Sequence, residues 1–228
     1  KIKEFKKTSS SEKTTFSVVI PFRNEARNLP QILKSISQLN YSNELVEYIF
    51  VDDDSTDNSV EIINSHFERS REVLSLDSAR PDICVLKNTR TSNSPKKDAI
   101  STALKRSKNN WIITTDADCL LPEMWLKTID TFIQHNNCNM IVAPVSYVVD
   151  STFLHQFQEL DFMSLQATTT ASFGLGVPFL SNGANFAYKK DVFEKVQGFE
   201  GNNSIASGDD VFLLEKFLQF DKKSVQYI

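Results

Sequence analysis

The chain reads as an α/β domain with a mainly parallel central sheet flanked by helices. Three observations predict this. Short apolar runs rich in β-branched residues alternate four times with segments of helical spacing. Several of those runs stop abruptly at polar or acidic residues. The 228 residues, 40% hydrophobic and 24% charged, suit one globular domain with a substantial core. Strands joined through helices run parallel with right-handed crossovers. In such sheets, ligands bind beyond the carboxyl ends of the strands.

Residues 1–15, rich in Lys, Ser and Thr, are expected to be disordered or to form a basic juxtamembrane tail. Phe16–Phe22 gives the first strand, which Pro21 terminates. Asn28 is placed to cap a helix running to residue 39, with Leu29, Ile32, Leu33 and Ile36 on one face. Residues 46–51 form the second strand and run into Asp52-Asp53-Asp54-Ser55-Thr56-Asp57. A helix over 58–69 follows, with Asp52 or Asp54 expected to cap it. Residues 83–86 form a short third strand. After a polar loop at 88–95, Ala99, Ile100, Ala103 and Leu104 mark a helix leading into Trp111-Ile112-Ile113-Thr114, the fourth strand. Farther on, 139–147 reads as a strand. The amphipathic stretch 153–166 reads as a helix packed on the sheet, the alternative being a surface for a membrane or an apolar acceptor. Residues 171–180 read as an apolar loop, 182–188 turn into a strand, and 190–196 and 208–219 are helices.

The fourth strand carries the most pointed feature. It ends in Asp116-Ala117-Asp118, and strand alternation would set both carboxylates on the same side. Two oxygen ligands at a strand exit suit a hard cation such as Mg²⁺ or Mn²⁺. The pattern is common in loops, so its meaning depends on its neighbours. Two other strands end in comparable loops, Arg23-Asn24-Glu25 and Asp52-Asp53-Asp54, on the same predicted edge.

Several classes are excluded. The first glycine is Gly174, so neither a dinucleotide fingerprint nor a P-loop follows the first strand. Phosphate charge, if this sheet meets any, must be offset by a metal. The three cysteines and three histidines are scattered, without zinc or disulfide spacing, as in a reducing compartment. Net charge is −4 with no basic block over the body, so no nucleic-acid partner is expected. No apolar run reaches the ~20 residues that cross a bilayer. The start at Lys1 suggests a piece of a longer membrane protein.

Taken together, Ser17-Val18-Val19-Ile20-Pro21-Phe22-Arg23-Asn24-Glu25, Val51-Asp52-Asp53-Asp54-Ser55-Thr56-Asp57 and Thr115-Asp116-Ala117-Asp118 resemble the successive motifs of family 2 glycosyltransferases. Asn182-Gly183-Ala184-Asn185 through Gly198-Phe199, and Ser207-Gly208-Asp209-Asp210, complete the set in order. The likeness is closest to bacterial membrane-attached members. It implies a GT-A fold over 16–228, with a nucleotide-sugar half at 16–120 and an acceptor and catalytic half at 121–228. It further implies inverting transfer of a sugar from a nucleotide-diphosphate donor to a lipid, polysaccharide or other hydroxyl acceptor. The full-length protein would work at the cytoplasmic face of a membrane, and this piece would be soluble.

Carried over by position, Pro21, Arg23, Asn24 and Glu25 line the nucleoside pocket, and Asp53, with Asp52 beside it, meets the base edge. Lys96 and Lys97 contact the donor, or are exposed charges opening a helix. Asp118 ligates the metal; Asp116 joins it or approaches the ribose. Asn182, Gly183 and Asn185 lie under the donor sugar. Asp210 takes the base position, with Asp209 as its acidic neighbour. The Gln-x-x-Arg-Trp motif of many processive and lipid-acceptor members does not occur before Ile228; either it belongs to a removed carboxyl-terminal region or the protein does without it, and weak donor binding and slow turnover are expected of this piece. Two rivals stand beside this reading: a nucleotidyltransferase on a related sheet, and a non-catalytic nucleotide-sugar-binding module.

Overall fold

The computed structural model describes residues 11–73, 82–148, 152–202 and 207–228. Residues 1–10 of the expected tail lie outside that set. Residues 11–15 are tied to the body: the Lys13 and Thr14 amides donate to the Asp130 carboxylate, and Glu12 accepts from the Ser42 amide. The expected disorder therefore does not extend to them.

Among the described residues, seven strands form one sheet: β1 (Phe16–Phe22), β2 (Val46–Asp52), β3 (Asp82–Lys87), β4 (Trp111–Thr114), β5 (Met140–Val142), β6 (Phe186–Lys189) and β7 (Val225–Tyr227). Their order is β3-β2-β1-β4-β6-β5-β7. The first four are parallel neighbours, and β6 runs antiparallel to both β4 and β5. The mainly parallel sheet is thus as expected, with one reversed strand joining its two halves.

Among the described residues, seven α-helices accompany the strands: α1 (Leu29–Ser37), α2 (Ser59–Val73), α3 (Pro95–Arg106), α4 (Trp125–His135), α5 (Phe153–Gly174), α6 (Lys190–Lys195) and α7 (Asp209–Asp221). Alternating strand residues feed two cores, one on each face. Val18, Ile20 and Ile113 meet Leu33, Ile63 and Leu126 on one side. Val19, Ile112 and Tyr188 meet Ile100, Leu213 and Phe217 on the other. α4 has no counterpart among the predicted elements, although Trp125, Ile129 and Phe132 carry the helical period.

Pro21 does not end β1; it sits inside the strand opposite Val51. Val19 accepts from the Thr115 amide and Phe22 from the Asp53 amide, so alternate residues face β4 and β2. Pro21 shares the orientation of Val19, and β4 has already ended there. Its missing N–H leaves no ladder bond unmade.

Other boundaries shift for local reasons. The Asn28 side chain caps nothing and donates to Glu25 Oε2 instead. Neither Asp52 nor Asp54 caps α2; Asp57 Oδ1 accepts from the Ser59 amide and hydroxyl. β5 stops at Val142, well short of residue 147, and Pro144 just beyond it has no amide to donate. α5 continues through residues expected to form a loop. Just before this stretch the Thr168, Thr169 and Thr170 hydroxyls donate to carbonyls four residues back.

α5 also departs from its favoured reading. Thr169 and Ser172 are its buried residues, and Phe173 packs on Tyr227 of β7. Phe153 is 84% exposed and Phe157 60%. The helix is anchored at its last turns, and its leading apolar residues face solvent.

Gly198 fixes the turn after α6. Its φ is +44°, and a Cβ there would lie 2.4 Å from the Phe193 ring. Gly198→Ala is expected to cost about 1–3 kcal/mol through overpacking and backbone strain. A thermal unfolding midpoint equal to that of the parent would contradict this.

Candidate active site

The carboxyl ends of β1, β2 and β4 open on one edge, and β6 adds its amino end there because it runs the other way. Phe186 at the start of β6 pairs with Thr114 at the end of β4. The Thr114 hydroxyl donates to the Gly183 carbonyl at 2.8 Å, locking the preceding turn to the same edge.

The loops after β1 and β2 are knitted together. Asn24, at φ 56°, accepts the Thr56 amide on its side-chain oxygen and donates its own amide to Ser55 Oγ. The Glu25 amide donates to Ser59 Oγ, and that of Ala26 to Asp57. Asp52 accepts from the Ser55 amide. Asn24 and Glu25 thus tie the two loops together, and Asp52 braces its own.

Asp53 is buried and strongly held. Its Oδ1 accepts from Asn88 Nδ2 and Arg90 Nε, both at 2.7 Å, and Oδ2 accepts from Arg90 Nη2 at 2.7 Å. Arg23 lies 3.8 Å away. Burial alone would push this carboxyl up. The Arg90 and Asn88 hydrogen bonds and the two guanidinium charges reverse that and hold it below the usual carboxylate range. Arg90 was not singled out in the sequence, where it falls inside a polar loop. Asp98 fixes that loop by accepting from the Thr91 and Ser92 amides.

Asp116 and Asp118 lie past the end of β4, in a turn closed by a bond from the Cys119 amide to the Asp116 carbonyl. Strand alternation therefore does not set their directions; the turn does. Lys96 Nζ sits 2.5 Å from Asp116 Oδ1. Burial pushes the Lys96 ammonium down, but Asp116, then Asp209 and Asp210, raise it above its usual range, so it stays charged. Asp118 is exposed and forms no ion pair among the described residues. No three His, Cys, Asp or Glu side chains among those residues group to hold an ion unaided.

Across from this pair, α7 begins with Asp209 and Asp210. Asp210 Oδ2 accepts the Gly183 amide at 3.0 Å, and Oδ1 accepts the Val211 amide at 2.8 Å. Burial pushes the Asp210 carboxyl up and Asp209 adds to that, against lowering by both amides and by Lys96. Gly183 is in the midst of these groups: a Cβ there would stand 3.6 Å from Lys96 Nζ and 3.7 Å from Asp209 Oδ2. Those are ordinary contacts, so the fold itself tolerates a methyl at 183.

Lys96, Asp116, Gly183, Asp209 and Asp210 are therefore brought together. Lys97 is not. It is 2% exposed, and its Nζ donates to the Asn202 carbonyl, holding the segment that leads toward α7. Asn185 also serves the scaffold, accepting from Trp125 Nε1 and donating to the Pro144 carbonyl. Asn182 caps its own turn by accepting the Ala184 amide. Those uses depend on which chain segment lies opposite, which residue type does not reveal.

Known proteins resemble this chain in sequence and in fold. The model of glycosyl transferase family 2 matches residues 17–197. A Haemophilus influenzae protein described as an uncharacterized glycosyltransferase is 26% identical over 207 residues, 89% of this chain and 62% of that one. The undecaprenyl-phosphate 4-deoxy-4-formamido-L-arabinose transferase of Pseudomonas savastanoi pv. phaseolicola is 34% identical over 107 residues, 46% of this chain and 28% of that one. Among solved structures, the mannosyltransferase PcManGT from Pyrobaculum calidifontis, in complex with GDP-Man and Mn²⁺, superposes with a TM-score of 0.67. It is 19% identical, with 93% of this chain and 56% of that one covered. Staphylococcus aureus TarS 1–349 in complex with UDP-GlcNAc gives 0.66 at 16% identity, over 94% and 56%. The chain spans less than two thirds of the length of each of these proteins. With most of its residues under the family model, and a sheet that superposes on those of solved glycosyltransferases, the chain belongs to glycosyl transferase family 2 and has the GT-A fold.

Proposed function

We propose that the protein is a metal-dependent inverting glycosyltransferase that moves a sugar from a nucleotide-diphosphate donor to an acceptor hydroxyl. The observation that carries this reading is the half-buried Asp210 at the start of α7, bonded to Gly183 and facing the Lys96–Asp116 pair. A carboxylate oxygen that accepts one amide keeps a second lone pair. Asp210 can therefore take the hydroxyl proton as the new bond forms, and its raised pKa makes it a stronger base than a solvated aspartate. Asp209 sustains that shift. Lys96 supplies fixed positive charge where the departing diphosphate develops its negative charge.

The acidic residues also fit a cation. Asp118 offers an exposed hard-oxygen ligand without an ion-pair partner among the described residues, and Asp116 a half-engaged one, which suits Mg²⁺ or Mn²⁺ completed by phosphate oxygens and water. Such an ion would stabilise the leaving group as a Lewis acid. Arg23, Asn24 and the Asp53–Arg90 pair form the wall assigned to the nucleoside. Asn182 and Gly183 are assigned to the donor sugar, with Asn185 supporting their turn. One relative is named for undecaprenyl phosphate and another for poly(ribitol phosphate). A lipid or polysaccharide acceptor, met at the cytoplasmic face of a membrane by the whole protein, follows from that likeness. No helix among the described residues is long and apolar enough to cross a membrane.

Incubation with Mn²⁺ and a panel of nucleotide sugars tests the proposal. One donor should be hydrolysed slowly without acceptor, and only with the metal present. A donor that binds without being consumed would favour the non-catalytic binding module, and no binding of any donor would remove both readings.

The pH profile offers a further check. Asp210 works ionised, so kcat/KM should fall as pH drops through its folded pKa, above the ordinary 3.8. Lys96 lowers that pKa, so Lys96→Met should move the acid limb to higher pH. An unmoved or downward-shifted limb would count against Asp210 as the group that titrates.

A further inference from the structure

Lys96 stands where helix formation does not favour a cation. It follows Pro95 in the first turn of α3, at the end of the helix that already carries partial positive charge. Its partner there is Asp116, with Nζ 2.5 Å from Oδ1. Lys97, next in the chain, turns its ammonium inward to the Asn202 carbonyl instead. The side chains of Lys96 and Asp116 are 34% and 38% exposed, so a ligand can reach the pair. An ion pair this open is weak and exchanges readily for a more highly charged partner.

The pair bears directly on the cation that Asp116 and Asp118 are suited to hold. A divalent ion of this kind gathers about six oxygen ligands. Among the described residues no third His, Cys, Asp or Glu side chain joins these two. One Asp116 oxygen is already taken by the Lys96 ammonium. An ion drawing on that carboxylate would share it with a like charge. The chain alone therefore offers a divalent ion few ligands and an adjacent positive charge.

We propose that Lys96 is the resident counter-ion of Asp116 and keeps the divalent site closed until a donor diphosphate draws the ammonium away. This rests on the transferase reading and makes Lys96 a positioning residue for the metal ligand as well as a contact of the leaving group. A diphosphate carries more negative charge than one carboxylate, and it brings oxygens that the ion lacks. One ligand removes the competing cation and adds to the coordination shell. The shift has room on one side, because the neighbouring position is Gly183, where even a Cβ would stand 3.6 Å from Nζ. Nucleotide and metal then bind as a coupled pair, each tightening the other by the same factor.

The test measures Mn²⁺ binding to the nucleotide-free chain, from the paramagnetic resonance signal of the unbound ion. Lys96→Met should bind Mn²⁺ about tenfold or more tightly than the parent, since the ammonium beside the ligand is gone. Lys96→Arg keeps the charge and should stay near the parent. Lys34→Met changes net charge equally at an exposed site in the last turn of α1, and should also stay near it. Adding Asp118→Ala to Lys96→Met should abolish the gain. With saturating UDP or GDP, Mn²⁺ affinity should rise by a larger factor in the parent than in Lys96→Met. Lys96→Gln gives the same comparison if circular dichroism shows the methionine variant misfolded. Unchanged or weaker Mn²⁺ binding on loss of the ammonium overturns the proposal. So does an equal gain in Lys34→Met or Lys96→Arg, or an equal nucleotide factor in parent and variant. Failure of the two readings is distinguishable: consumption of a donor by the parent, with no gain in Lys96→Met, removes only this inference. A gain without any donor consumption removes the transferase and leaves a cation site guarded by a lysine.

Discussion

Asp210→Asn is expected to lower turnover by about 10²–10⁴-fold, the usual contribution of a positioned general base, while donor binding persists. The substitution is close to isosteric, and Asp210 has a neighbour, Asp209, that keeps negative charge at the start of α7. The side chain nevertheless changes in two ways. It can no longer take a proton at working pH. Its amide must also turn an N–H toward either the Gly183 or the Val211 amide, each of which now donates to a carboxylate oxygen. Some loosening of the Gly183 turn is therefore expected, and donor affinity should be measured beside the rate. A variant with parental turnover would remove Asp210 from the mechanism. One that loses donor binding and rate in proportion would recast it as a support for the turn.

Asp118→Ala is expected to abolish the part of donor binding that depends on a divalent ion. Loss of an outer-shell partner alone costs roughly 10–100-fold in metal affinity, so loss of the principal carboxylate should exceed about 100-fold. Asp116 is poorly placed to substitute, since one of its oxygens already accepts from Lys96. Metal-free binding of the nucleotide, which draws on the Asp53–Arg90 wall and on Lys96, should be unaffected. Calorimetry with and without Mn²⁺ separates the two contributions. Divalent-dependent binding that survives in Asp118→Ala would place the ion elsewhere. Retained binding in Asp118→Ala together with its loss in Asp116→Ala would reverse the roles of the pair.

The amino-terminal half of the fold was legible because its signals are local. Val18-Val19-Ile20 and Tyr48-Ile49-Phe50-Val51 are continuous apolar runs, as strands buried on both faces require, and each is followed by helical spacing. The order of the acidic loops along the chain then gave their common edge, because parallel strands end on the same side. The carboxyl-terminal half was harder. β5 and β7 have three residues each, too few to show a period, and β7 reaches its place beside β5 only through tertiary pairing. α5 read as amphipathic over its first part, and amphipathic helices ordinarily cover a core; nothing local says that this one does not.

At the site, residue types pointed to the right motifs but not always to the right task. Asp116, Asp209 and Asp210 lie together around Lys96 and Gly183, and Asp118 stands exposed in the turn after β4. Lys96 and Lys97 are consecutive and chemically identical, yet α3 directs one toward the acidic cluster and buries the other under the segment before α7. One helix step turns a side chain by about a quarter of a circle, and sequence alone does not say which side the site lies on. Arg90 was missed for the complementary reason. Its importance comes from Asp53, thirty-seven positions earlier, and from a loop whose shape Asp98 sets.

The reversed strand β6 has a consequence for how such a protein can diversify. Its neighbours β4 and β5 hold it on both sides, so its place in the sheet depends little on the long excursion between residues 143 and 181. Lengthening a surface excursion costs little conformational entropy, since closure grows only with the logarithm of length. The excursion, which includes α5, could therefore be rebuilt, extended or exchanged among descendants while the Gly183 turn, the base and the donor wall stay in register. The architecture leaves the strands that carry the proposed chemistry in place whatever the length of the segment between them.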